Sequence, residues 1–229
     1  MSFETVEFGQ RDADILLVQM VDDHDLEFIE KEVSLIRELT GGRDFSLKAV
    51  KVKSWNKDLS PWPAPAVFGN EDFGDGAGET LSFLLDEVIP KEADGPSGNP
   101  DGAADMLRPG RRVYLGGYSL AGLFALWAGY QTDRFDGIAA ASPSVWFPDF
   151  TQYMRDNRMQ VGRVYLSLGD REERTKNPVM SRVGEAIREA LAVLEGEGID
   201  CILEWNKGNH FKDADLRTAK AFAWLISKD

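Results

Sequence analysis

Cysteine is almost missing from this chain of 229 residues: Cys201 stands alone, so no disulfide can form within it. Its apolar neighbours Ile199, Ile202 and Leu203 make a small buried thiol the expected role. Basic residues are also short. With 26 Lys and Arg against 39 Asp and Glu, the formal charge is −13. That balance disfavours nucleic acid and anionic membranes as partners, since both require basic patches. No apolar run reaches the length of a membrane span, and the opening MSFETVEFGQ lacks the basic-then-apolar order of a leader. A cytoplasmic protein is expected. Histidine is scarce too, with only His24 and His210.

What the chain does have is a globular composition, 43% hydrophobic with six tryptophans. Its length fits one domain over 1–229, with no separate lid domain. Strands and helices alternate along it. Residues 5–8 suit a short edge strand, and the near-continuous apolar run 15–21 suits a strand buried on both faces of a parallel sheet. Leu26, Ile29, Val33, Ile36 and Leu39 then recur at helical spacing until Gly41 and Gly42 stop the helix. Residues 45–55 read as a strand whose lysines suggest partial exposure. In 56–78 three prolines exclude a regular element, while Trp62, Phe68 and Phe73 must either fold back on the core or line a cavity. A helix is expected over 80–89, ended by Pro90, and the stretch 91–110 has the composition of a mobile surface connection. Further strands are expected at 135–141, 163–168 and 200–205. Asn177 and Pro178 should open a helix with the stripe Val179, Val183, Ile187, Leu191 and Leu194. A last amphipathic helix carries Leu216, Ala219, Phe222, Ala223 and Ile226. This order implies an α/β fold, a mostly parallel sheet with helices on both faces.

The chain is organised around residues 111–129, RRVYLGGYSLAGLFALWAG. An apolar strand ends in two glycines, and an apolar, Ala-rich helix follows with Ser119 at the corner. Gly117-Tyr118-Ser119-Leu120-Ala121 fits the G-x-S-x-(A/G) form of a nucleophile elbow. The central residue of such a turn is strained, so its neighbours two positions away must be small. A serine hydroxyl needs a base to take its proton and an acid to fix the base's tautomer. His210 follows the last strand and lies beyond Gly208 and Asn209, which suit a tight backbone path; His24 sits where a helix begins and reads as a surface histidine. The turn after Leu168 offers Asp170, Glu172 and Glu173 as the acid, and spacing alone does not choose among them. The amide of Leu120 should form half of an oxyanion hole. The other half should come from the loop after 15–21, among Val21, Asp22 and Asp23, with Asp23 as the candidate and the acidic side chains turned away.

The elbow (Gly117 to Gly122), the run Ser142-Pro143-Ser144-Val145-Trp146 and the loop Gly208-Asn209-His210-Phe211 together resemble the putative-esterase family of α/β-hydrolases. That family includes siderophore (trilactone) esterases, feruloyl esterases and the esterase D type. The resemblance runs from Ile15 onward. It implies a single-domain α/β-hydrolase with shortened N-terminal strands, cleaving a small-molecule carboxylic ester without metal or cofactor. The family's habit of placing the acid three residues after the glycine that closes its strand points from Gly169 to Glu172. The loop after 15–21 departs from the family by carrying Asp22-Asp23-His24 where a glycine is usual.

The expected activity is therefore that of a serine esterase working through an acyl-enzyme with Ser119, His210 and Glu172. Trp62, Phe68, Trp146 and Phe211 are candidates for the substrate pocket. An acyltransferase on the same fold and a catalytically weak binding protein are the alternatives. Oligomeric state is not legible.

Overall fold

The computed structural model describes residues 3–89 and 110–228; the connection expected over 91–110 lies outside them except for Gly110. Seven strands form one sheet: β1 (Glu4–Gly9), β2 (Ile15–Val21), β3 (Ser46–Lys51), β4 (Arg112–Tyr118), β5 (Gly137–Ala141), β6 (Arg163–Gly169) and β7 (Asp200–Asn206). Their spatial order is β1-β3-β2-β4-β5-β6-β7. Every pairing is parallel except that of β1 with β3. The helices are α1 (Asp23–Leu39), α2 (Trp55–Asp58), α3 (Ala77–Phe83), α4 (Leu120–Gln131), α5 (Phe150–Asp156), α6 (Val183–Gly196) and α7 (Ala214–Ser227).

The apolar run of β2 is explained by burial on both faces. Ile15, Leu17 and Val21 join one core cluster with Ile29, Val33 and Ile36 of α1 and Phe222, Leu225 and Ile226 of α7. Leu16, Val18 and Met20 point the other way, into the larger core with Leu123, Phe124 and Leu126 of α4. Helix α4 is apolar all round because it lies wholly inside that layer, with 10 of its 12 residues buried. Helix α1 begins with a reciprocal capping box: the Asp22 side chain accepts from the Asp25 amide at 2.8 Å, and the Asp25 side chain accepts from the Asp22 amide at 3.2 Å.

Four expectations are corrected. The lysines of β3 do not mark an exposed strand: β1 pairs along its outer side, and Lys48 is buried. The helix expected over 80–89 starts earlier, at Ala77, and its last turn, Leu84–Val88, is wound as a π-helix. The helix expected from Asn177 begins as a 3₁₀ turn, Met180–Arg182, before α6. Asn177 does cap that turn, accepting from the Val179 and Met180 amides, but Val179 stays exposed and outside the stripe. Cys201 is only half-buried, because β7 is the sheet's edge strand.

Candidate active site

Elbow geometry follows from the two glycines before the serine and the small Ala121 after it. A Cβ on Gly117 would stand 2.5 Å from the Cβ of Ala121, and one on Gly116 would stand 2.7 Å from the Ala139 carbonyl oxygen. With neither present, β4 turns into α4 tightly enough to hold Ser119 at φ 57°, ψ −118°. That conformation costs a non-glycine residue about 1–3 kcal/mol. Its neighbours hold it there. The Ser119 amide donates to the Ala141 carbonyl at 3.1 Å, and the Ser119 carbonyl accepts from the Ser144 amide at 3.0 Å. Leu120 is the first residue of α4, so its amide has no carbonyl one turn earlier to pair with.

Three strand-end loops meet at this corner. His210 Nε2 lies 3.0 Å from Ser119 Oγ, and His210 Nδ1 lies 2.7 Å from Glu172 Oε2. Ser144 Oγ is 3.3 Å from Ser119 Oγ. The other oxygen of Glu172, Oε1, is heavily used. It accepts from the Gly169 amide at 2.7 Å, from Ser142 Oγ at 2.9 Å and from Arg217 Nη1 at 2.6 Å. Burial pushes the Glu172 carboxyl up. The hydrogen bond and charge of His210, with the Gly169 amide and the Ser142 hydroxyl, outweigh burial and hold it below the usual carboxylate value. Glu172 is thus an ionised carboxylate with one oxygen reserved for the imidazole.

Asp170 and Glu173 are occupied elsewhere. Asp170 Oδ1 accepts from the Gly208 amide at 2.8 Å, tying the acid's turn to the histidine's loop. Glu173 is exposed and 3.8 Å from Arg188. His24 is exposed on α1, beside Glu27. Asp23 begins α1, and its carboxylate pairs with Lys51 of β3, on the side of β2 away from β4. The Asp22 amide is engaged in the capping box.

The pocket candidates separate. Trp62 donates Nε1–H to the Pro148 carbonyl at 3.1 Å and packs on Phe147, Phe150 and Tyr153. Phe68 and Trp146 pack edge-to-face with each other and with Phe73. The proline-rich stretch therefore folds back on the core through these rings. Phe211 stands apart: it is 89% exposed, beside the His210 ring.

Arg217 is the site residue that the sequence did not reveal. It is 1% exposed, and its guanidinium also donates to Tyr118 Oη and Ser142 Oγ, each at 3.1 Å, and to the Asn209 carbonyl at 2.9 Å. Tyr118 in turn donates to the His210 carbonyl at 2.6 Å. Burial, and then the Glu172 charge, push the Tyr118 phenol up to about 12, so it remains a donor at neutral pH. One arginine on α7 thus fastens the acid, the elbow and the histidine loop to each other.

No protein-family model matches the chain, and no curated protein matches its sequence. Its fold is nevertheless shared with solved α/β-hydrolases. An IroE-like serine hydrolase from Shewanella oneidensis superposes with a TM-score of 0.74 at 15% identity, over 97% of this chain and 75% of that one. The siderophore hydrolase EstA from Aspergillus nidulans gives 0.63 at 19% identity, over 94% and 82%. The Bacillus cereus carboxylesterase gives 0.61 at 14% identity, over 99% and 95%.

Proposed function

We propose that the chain is a serine hydrolase that cleaves a small-molecule carboxylic ester through an acyl-enzyme. The observation that carries this reading is the continuous relay from Ser119 Oγ to His210 to Glu172, at 3.0 and 2.7 Å. His210 Nε2 takes the Ser119 proton as Oγ bonds to the ester carbonyl carbon. The electron pair moves to the carbonyl oxygen, which the Leu120 amide and the N-terminal end of α4 stabilise. Asp23 is the candidate for the second donor, and its outward carboxylate keeps a negative charge off the developing oxyanion. Collapse breaks the C–O bond, and His210 returns the proton to the departing alcohol. Water then repeats the cycle on the acyl-enzyme. Neither metal nor cofactor has a step in this scheme. The charge of −13 and the single cysteine suit a cytoplasmic enzyme, and no helix among the described residues is long and apolar enough to cross a membrane.

The test is labelling by a fluorophosphonate, followed by a screen of short-chain, aryl and lactone esters. Ser119→Ala and His210→Ala should each lose on the order of 10⁴–10⁶ in turnover, while His24→Ala stays near wild type. A Ser119→Ala variant that keeps about a tenth of the activity would overturn the reading, because a nucleophile's loss is far costlier.

A further inference from the structure

A cavity of about 280 Å³ opens between the N-terminal half of α1 and the start of α7. It adjoins the triad: Tyr118, the residue before Ser119, and Phe211, the residue after His210, both line it. Its charge is lopsided. Asp25, Glu32, Asp213 and Asp215 line it with two basic residues, Lys31, already paired with Asp215, and His24, which stands 3.9 Å from Glu27.

The floor is unsatisfied as well as acidic. Gln19, the one polar residue of β2, is 3% exposed, and Glu32 of α1 is 5% exposed. Gln19 Nε2 donates to Glu32 Oε2 at 3.3 Å, yet Gln19 Oε1 and Glu32 Oε1 have no hydrogen-bond partner among the described residues. Buried oxygens left in this way are costly and call for a donor. Burial drives the Glu32 carboxyl well above its ordinary value and, with Asp22 beside it, brings Asp25 to about 6. Neither carboxyl forms an ion pair among the described residues, since Lys31 is taken by Asp215 and His24 stands nearest Glu27, and a cation bound beside them would favour their ionised forms. Above them, Phe28 and Phe211 expose their rings at the rim. An ammonium ion fits this set, with N–H donors for the floor and a charge for aromatic faces and carboxylates. The carboxylates are not gathered as a metal-chelating group among the described residues, so an organic cation suits them better. The volume falls just under the ~300–1,000 Å³ of a site for a whole drug-sized ligand, which is room for one arm of a substrate.

We propose that this cavity is the subsite for an alkylammonium arm of the ester, seated on Gln19 and Glu32 and facing Asp25. The inference rests on Ser119 being the nucleophile only in placing the ester carbonyl next door. Binding is measured separately from catalysis, by calorimetry of n-butylammonium chloride against n-butanol. The ammonium should bind at least about tenfold tighter, the worth of one charge-assisted hydrogen bond. Glu32→Gln and Asp25→Asn should each lower its affinity by a similar factor. Asp213→Asn, at an exposed left-handed position that asparagine tolerates, should lower it several-fold without risk to folding. In parallel, p-nitrophenyl 6-aminohexanoate should be cleaved with a higher kcat/KM than p-nitrophenyl hexanoate. Equal binding of the two butyl probes, or an ammonium affinity unchanged in all three variants, overturns the subsite. Failure to cleave either ester while n-butylammonium still binds selectively overturns the hydrolase reading and leaves the cation site standing.

Discussion

At the scale of residues, the choice among three carboxylates is the sharpest question. Asp170, Glu172 and Glu173 share one turn, and charge-removing, near-isosteric changes separate them. Glu172→Gln should lose on the order of 10²-fold or more in turnover, by analogy with other triad acids. Asp170→Asn keeps an acceptor for the Gly208 amide, and Glu173→Gln removes only a screened surface charge, so both should stay within several-fold of wild type. A large loss at Asp170 with none at Glu172 would move the role to Asp170. In the proposed mechanism Arg217 acts through Glu172, as a positioning residue. Arg217→Met leaves a buried carboxylate without its cation, a change that typically costs about 3–5 kcal/mol of stability. Arg217→Lys, which keeps the charge but not the fork, should cost less.

At the scale of elements, the elbow is where sequence and structure agree most closely. A sharp strand-to-helix corner leaves a strict demand for small residues, and such a demand is visible in a sequence. The cost of violating it is local. Gly117→Ala would press its Cβ against Ala121, and overpacking of that kind costs about 1–3 kcal/mol. Thermal scans should show Tm falling by roughly 2–4 °C per kcal/mol for a chain of this size. An unchanged Tm with full fluorophosphonate labelling would mean that the turn relaxes freely. Other elements were less legible because their surroundings decide them. The lysines of β3 suit a partly exposed strand, but β1 pairs beside them. Arg217 lies outside the apolar stripe of α7, yet the helix packs so close over the sheet that Arg217, Thr218 and Ala219 are all buried in succession. Asn177 was visible as a cap, but not that the turn it caps would be 3₁₀. The acid's identity came from resemblance and not from spacing, since all three carboxylates fit a polar turn equally well.

At the scale of the whole molecule, two buried carboxyls make stability respond to pH in opposite senses. The folded-state value of Glu172 is depressed, net of burial, by His210, the Gly169 amide and Ser142. Its contribution is complete above the ordinary carboxylate value and is lost as pH falls through the depressed one. Glu32 is raised by burial, so it weakens the fold progressively as pH climbs from the ordinary carboxylate value toward its own. In urea unfolding followed from acid to mildly alkaline pH, Glu172→Gln should be most damaging at the upper end and relatively harmless in acid. Glu32→Gln should gain stability over wild type as pH rises. If the two variants show parallel pH profiles, one of the two assignments of ionisation is wrong.

The attachment of Arg217 to the acid, the elbow and the histidine loop also bears on how the protein is made. Ser119, Glu172 and His210 have all been synthesised once residue 210 is added, but the cation that fastens them comes seven residues later, on a helix packed over β4, β5 and β6. A chain ending at Asp213 holds all three side chains but not α7, and its Ser119 should be unreactive. The chain with α7 packed over β4, β5 and β6 should label with a fluorophosphonate.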